Sequence, residues 1–112
     1  MKFYNNKKVL ITGNTGFKGS WLTIWLIKLG ANIIGISKDI PTNPSIFKEL
    51  NLEDQIIHYN EDIRDLSKMT DIISNEKPDF LFHLAAQPLV LTSYTNPIET
   101  ISSNVMGTAN IL

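Results

Sequence analysis

Lys8-Val9-Leu10-Ile11-Thr12-Gly13-Asn14-Thr15-Gly16-Phe17-Lys18-Gly19-Ser20 is the stretch on which the fold turns. It opens as a short apolar run ending in glycine, the pattern of a buried strand. It leads into Phe17 to Leu29, which has helical spacing and sets Trp21, Leu22, Trp25, Leu26 and Leu29 on one side, so both tryptophans are expected to pack in the core. Gly30 then stands where a helix C-cap belongs. Between strand and helix, Gly13, Gly16 and Gly19 allow a tight turn and a close backbone approach to a pyrophosphate, whose charge meets the unpaired N–H groups of the helix. A P-loop is the rival reading. It needs lysine directly after its last glycine and then Ser or Thr, whereas Lys18 precedes Gly19. A tight turn without a ligand is the bland alternative.

Outward from this loop, strand and helix patterns alternate. Asn32 to Ser37 reads as a second strand, and Gln55 to Tyr59 as a third. Asp65 to Glu76 reads as a helix with Leu66, Met69, Ile72 and Ile73 as its apolar stripe. Asp79 to Leu84 is a fourth strand, apolar on both faces, which argues for a parallel sheet covered on both sides. Asn96-Pro97-Ile98-Glu99 resembles a capping box with proline at the first helical position, and its helix runs on to Leu112. From Lys38 to Asp54 the pattern is weaker. Pro41 and Pro44 exclude regular structure at its start, and Ser45 to Leu50 is expected to form one short helix. The sum is an α/β, doubly wound parallel sheet of Rossmann type with strand order 3-2-1-4. Residues 1–112 are expected to be the amino-terminal part of that domain, cut after the helix following strand four. Strand four would then lack its outer neighbour and expose an apolar edge, so self-association is expected.

Bulk properties narrow the chemistry. The 112 residues suffice for at most one domain, and 43% apolar content with 19% charge is ordinary for a globular chain. Nine lysines, one arginine and a net charge of −1 give no basic field for nucleic acid. The absence of cysteine removes disulfides, thiolate catalysis and cysteine zinc sites. No apolar run approaches a membrane span and no signal-peptide pattern is present, so a cytoplasmic protein is the default.

A dinucleotide fold usually places an acid after its second strand to hold the adenosine ribose. Asp39 is the candidate, although Ser37 occupies the more usual position and Lys38 could instead meet a 2′-phosphate. NAD is favoured and NADP stays open; a solvated Lys-Asp turn is the plain alternative. His58 and His83, lacking ligand-spaced partners, read as hydrogen-bonded strand-end histidines and not as a metal site.

The Gly-x-x-Gly-x-x-Gly spacing resembles that of the extended short-chain dehydrogenase/reductases, the NAD-dependent epimerase/dehydratase family. Asp62-Ile63-Arg64-Asp65 is similar to the family's adenine-binding turn. His83-Leu84-Ala85-Ala86-Gln87 is similar to the segment passing beneath the nicotinamide half, and Asn104-Val-Met-Gly-Thr108 to the family's Asn-Val-x-Gly-Thr helix. The fuller strings Gly16-Phe-Lys-Gly-Ser-Trp21, His83 to Val90 and Ser93-Tyr94 resemble its CDP-glucose 4,6-dehydratase branch, with Leu91 where arginine is common there. Related epimerases, GDP-mannose-type dehydratases and a non-catalytic binding module are the alternatives.

The resemblance implies cofactor contacts from Gly13, Thr15, Gly16, Phe17, Lys18, Gly19, Asp39, Asp62, Ile63, Leu84, Ala85, Ala86 and Gln87. It implies a nucleotide-sugar pocket lined by Gln87, Ser93 and Tyr94, a structural Asn104 near the site, and homodimer contacts along the helix starting at Pro97. It also implies a redox-neutral elimination: oxidation at sugar C4, loss of water across C5–C6, and reduction at C6, with NAD as the temporary redox partner. The family's catalytic Ser/Thr, Tyr-x-x-x-Lys and Asp-Glu pair all come later than this stretch. Tyr59 and Tyr94 lack a lysine four residues on, and Tyr4-Asn-Asn-Lys-Lys8 stands ahead of the first strand, so this chain alone is expected to be catalytically silent.

Overall fold

The computed structural model describes residues 3–38, 45–85 and 94–112. Along the chain it forms β1 (Lys8–Thr12), α1 (Phe17–Lys28), β2 (Asn32–Ser37), α2 (Ile46–Glu49), a 3₁₀ turn (Leu52–Gln55), β3 (Ile57–Asn60), α3 (Leu66–Glu76), β4 (Phe80–His83), α4 (Pro97–Ile101), a π turn (Ser102–Met106) and α5 (Gly107–Ile111). The four strands are parallel in the order β3-β2-β1-β4, as the alternation requires. Central β1 is buried on both faces, with Val9, Leu10, Ile11 and Thr12 all at 0% exposure. Leu10 faces Ile34, Ile36, Met69, Ile72 and Ile111, which brings α3 and α5 onto one side of the sheet. Val9 and Ile11 face Leu26 and Ile33, which brings α1 onto the other. The result is a three-layer helix–sheet–helix arrangement.

Local signals explain where the elements begin and end. At the end of α1, Gly30 takes φ +86°. Its N–H donates to the Ile27 carbonyl at 3.0 Å, and that of Ala31 to the Leu26 carbonyl at 3.0 Å. These are the paired bonds of a Schellman motif. Asp65 caps α3 by accepting from the Lys68 N–H, and Ser45 accepts from the Lys48 N–H at the head of α2. Asn96 accepts from the Glu99 N–H at 3.2 Å, the first half of the expected capping box, and its side-chain amide donates to the Glu99 carboxylate at 2.9 Å.

The sequence expectations need correcting at several points. Trp21 and Trp25 are not core residues: they are 53% and 65% exposed, and α1 buries Gly19, Ser20, Thr23 and Leu26 instead. The helix runs so close to the glycine loop that a Cβ on Gly19 would collide with the Gly13 carbonyl. Small residues therefore take the inner face, and the aromatics turn outward; Leu22 and Leu29 pack only partly against the sheet. Leu66, at the first position of α3, is 57% exposed because the helix has not yet reached the sheet. Gln55 belongs to the 3₁₀ turn, where its side chain donates to the Leu50 carbonyl, and β3 begins at Ile57. Strand β4 is covered less fully than its composition suggests, with Leu81 37% exposed at the end of the sheet. The helix from Pro97 is continuous but irregular, passing through the π turn at Ser102–Met106.

Candidate dinucleotide site

The glycine loop leaves β1 at the carboxyl end of the sheet. Gly13 has φ +75°, and a Cβ there would lie 2.8 Å from the Ala85 nitrogen and the Leu84 carbonyl carbon. The fold itself therefore demands glycine at this position. Gly16 is different. Its backbone is ordinary (φ −75°, ψ 175°), and an added Cβ would meet only the Gly13 carbonyl, at 3.5 Å. Gly16 sits at the head of α1 with no side-chain cap and no acid in the first turn. The first intrahelical bond is Ser20 N–H to the Gly16 carbonyl, at 2.9 Å. The N–H groups of Phe17, Lys18 and Gly19 thus precede any i−4 partner, at the positive end of the helix dipole. The side chains of Phe17 and Lys18 are exposed beside them. A pyrophosphate fits this cradle: uncapped donors, positive helix end, and no side chain on Gly16 to keep it away.

Beneath the loop lies a buried polar network. Asn14 is 0% exposed, and its side chain fills the space over β2 that a Cβ on Gly35 would take. Asn14 Oδ1 accepts from Ser37 Oγ at 2.7 Å, and Ser37 Oγ in turn accepts from the Thr15 N–H at 3.3 Å. Asn14 Nδ2 lies 3.2 Å from His58 Nδ1 on β3 and donates to it. Ser37 is therefore spent on holding the loop and is not free to face a ribose. Burial pushes the His58 pKa below its ordinary value, against a smaller upward pull from Glu53.

A second network fixes the exit of β4. Thr108 Oγ1 donates to the Asn104 carbonyl at 2.7 Å, so it accepts from His83 Nε2 at 2.8 Å. His83 is then the neutral Nε2–H tautomer, and its Nδ1 accepts from Thr12 Oγ1 at 2.6 Å. Thr12 Oγ1 accepts in turn from the N–H groups of Leu84 and Ala85, at 3.1 and 3.2 Å. One imidazole thus ties β1, the start of the Leu84–Ala85 segment and the last helix together. Burial lowers its pKa also. Both histidines are hydrogen-bonded, as expected from the sequence; His83 ends β4, whereas His58 lies within β3.

At the far end of the site, Asp62 closes a turn by accepting from the Arg64 N–H at 2.9 Å. The Arg64 guanidinium forks onto the same carboxylate, with Nη2 at 2.6 Å from Oδ2 and Nε at 2.9 and 3.1 Å from Oδ2 and Oδ1. Hydrogen bonds from Arg64 hold the Asp62 pKa below the usual carboxylate value, with Lys38 adding a smaller pull in the same direction. Ile63 is 7% exposed and packs where Gly107 has no Cβ, so only its backbone is available to a ligand.

Other candidates are placed as follows. Leu84 is 41% exposed, while Ala85 packs against the Leu10 face of the core. Tyr94 is 81% exposed, and Asn104 lies in the π turn, partly buried. Asp39, Ala86, Gln87, Ser93 and Leu91 lie outside the described residues. Sequence reasoning missed Asn14, Arg64 and Asn110 as supports of the site. A glycine in the middle of β2, at Gly35, was the available signal that a side chain crosses the strand there.

This fold and loop define a Rossmann-type dinucleotide-binding domain. Residues 10–112 match the model of the GDP-mannose 4,6-dehydratase family, and the chain belongs to that family. It is 50% identical to the CDP-glucose 4,6-dehydratase of Salmonella typhimurium over 98% of its own length and 31% of that protein's. Among solved structures it resembles a UDP-glucose 4-epimerase from Thermotoga maritima with UDP-glucose (TM-score 0.82, 31% identity, 93% of this chain and 32% of that one). It also resembles the Thermus thermophilus UDP-glucose 4-epimerase in complex with NAD (TM-score 0.81, 25% identity, 93% of this chain and 32% of that one). The chain spans about a third of the length of the curated relatives it matches. Among the described residues no helix is long and apolar enough to cross a membrane.

Proposed function

We propose that this chain is the dinucleotide-binding part of a nucleotide-sugar 4,6-dehydratase that converts CDP-glucose to CDP-4-keto-6-deoxyglucose with bound NAD. The observation that carries the reading is the uncapped head of α1 at Gly16, at the carboxyl end of the sheet beside the β4 exit. The choice of CDP-glucose rests on the 50% identity to the Salmonella enzyme. When bound, NAD supplies the reversible oxidation of the sugar. The chain's own residues bind and orient it: Gly13 to Gly19 at the pyrophosphate, Asp39 at the ribose, Asp62 and Ile63 at the adenine, and Leu84 to Gln87 under the nicotinamide. Gln87, Ser93 and Tyr94 serve the sugar nucleotide.

The likeness to UDP-glucose 4-epimerases supports a related epimerase as the second reading. In either case the Tyr-x-x-x-Lys of this chain, Tyr4 to Lys8, stands at the amino end of β1, away from the glycine loop, with Lys8 Nζ donating to the Glu76 carbonyl at 3.0 Å, so the chain binds and does not turn over. Exposed Ile98, Ile101, Val105 and Met106 on the last helix support a homodimer contact there.

Equilibrium binding of NAD⁺, NADP⁺, CDP-glucose, GDP-mannose and UDP-glucose to the chain, with a parallel turnover assay, tests the proposal. NAD⁺ and CDP-glucose should bind best, without product. Preference for NADP⁺ would give Lys38 the ribose role, and tighter binding of UDP-glucose would favour the epimerase. Formation of a 4-keto sugar by this chain alone would overturn the assignment of catalysis to residues outside it.

A further inference from the structure

The polar network beneath the glycine loop ends on a titratable group. β3 lies at the edge of the sheet, and His58 stands in register with Gly35 of β2. A Cβ on Gly35 would collide with the Asn14 side-chain amide, so the missing side chain opens a path across β2 from the loop to the imidazole. Along that path the hydrogen bonds run in one direction. The Thr15 N–H donates to Ser37 Oγ at 3.3 Å, Ser37 Oγ to Asn14 Oδ1 at 2.7 Å, and Asn14 Nδ2 to His58 Nδ1 at 3.2 Å. His58 is half-buried, within reach of a proton from solvent, whereas Asn14 is fully buried. A proton on Nδ1 turns the last acceptor of the chain into a donor that faces the Nδ2 donor. If Asn14 turns its amide over to accept that proton, Nδ2 meets Ser37 Oγ and the Ser37 hydroxyl hydrogen loses its acceptor. Either arrangement sets donor against donor under the loop, and a buried mismatch of this kind is costly.

Resting on the dinucleotide reading above, we propose that His58 is a positioning residue for the cofactor: unprotonated at Nδ1, it holds Asn14 and Thr15 in the shape that receives a pyrophosphate, and protonation there lowers dinucleotide affinity. The coupling is reciprocal, so a bound dinucleotide makes the imidazole harder to protonate. β2 and residues Gly13 to Gly16 bring no charge to the ring. From α2, which carries Lys48 and Glu49, the Phe47 ring covers it at a centroid distance of 5.2 Å. From the 3₁₀ turn, which carries Glu53 and Asp54, Glu53 favours the protonated form, but burial outweighs it and keeps the pKa below its ordinary value. Affinity is therefore full above about pH 6.5 and falls as the pH drops through the folded-state value.

The test is calorimetric binding of NAD⁺ between about pH 7.5 and pH 5.5, with the fold followed by circular dichroism, on the unmodified chain, His58→Asn and His58→Leu. The Kd of the unmodified chain should rise at least about threefold across the range, and by no more than about tenfold per pH unit, the limit for one linked proton. His58→Asn sets Oδ1 where Nδ1 stood and does not titrate. It should bind within about threefold of the unmodified chain at the upper pH and show a flatter profile. His58→Leu offers no acceptor and should bind more weakly at every pH; if it does not fold, the asparagine variant carries the test. The imidazole C–H resonances of His58 should titrate at lower pH with NAD⁺ than without it. Identical profiles for His58→Asn and the unmodified chain would overturn the proposal while leaving dinucleotide binding intact. So would affinity that rises on acidification, the result expected if the imidazolium acted on the pyrophosphate by its charge alone. Failure of the unmodified chain to bind NAD⁺ at the upper pH would overturn the dinucleotide reading as well.

Discussion

Gly13 and Gly16 stand in the same loop and are glycine for different reasons, which makes them separable by experiment. Gly13→Ala forces a side chain into a left-handed backbone and against the Leu84–Ala85 peptide. It should cost at least about 2 kcal/mol in urea unfolding, with weakened cofactor binding as a consequence. Gly16→Ala meets no such obstacle and should cost less than about 1 kcal/mol, yet it should abolish stabilisation by NAD⁺, because its methyl group occupies the pyrophosphate cradle. The two histidines give a pH signature. Burial lowers both pKa values below the unfolded value of about 6.5, so the unfolded chain binds more protons in the window below that value. Stability should therefore be full above about pH 6.5 and fall as the pH drops through the folded-state values. His58→Gln and His83→Gln should each flatten the profile. Asp62, whose pKa is also lowered, adds a loss only at more acidic pH, below the ordinary carboxylate range.

The elements show how far sequence periodicity reaches. β1 and β2 begin and end where their apolar runs do, and the caps of α1 and α4 were legible because each rests on local residues, whereas Asp65, the cap of α3, read as part of its helix. The inner face of α1 was not legible. Helical spacing puts Trp21 and Trp25 on one stripe, but periodicity cannot report the distance between helix and sheet. That distance is set by the Gly13–Gly19 approach, and it selects Ser20 and Thr23 for burial. Thr23 Oγ1 donates to the Gly19 carbonyl at 2.7 Å, which lets a polar residue sit inside at 0% exposure. Trp25→Ala should accordingly change stability by no more than about 0.5 kcal/mol. Thr23→Leu should cost about 1–3 kcal/mol through overpacking. Chemical denaturation of the two variants checks both. The π turn was equally invisible in sequence, since a continuous helical pattern does not distinguish i−4 from i−5 bonding.

For the whole molecule, the strand order followed from alternation of elements and the handedness of crossovers. The side chains that fix the site did not, because they pair residues far apart in sequence: Asn14 with His58, Thr12 with His83, Asn110 with the carbonyls of Ile63 and Arg64. The same architecture leaves β4 at a sheet edge with Leu81 and Leu84 exposed, and Ile98, Ile101, Val105 and Met106 exposed on the last helix. Sedimentation velocity should show concentration-dependent self-association, reduced by Val105→Glu, whereas a monodisperse monomer at moderate concentration would contradict it.

The central claim is that the head of α1 holds a dinucleotide, and thermal unfolding of the chain with NAD⁺ tests it most directly. At a hundredfold excess over Kd, a ligand bound only to the native state adds about 2.7 kcal/mol. For a domain of this size that is a rise in Tm of roughly 10–20 °C. Such a rise, lost in Gly16→Ala, is the predicted result. An unchanged Tm at millimolar NAD⁺ would contradict the account.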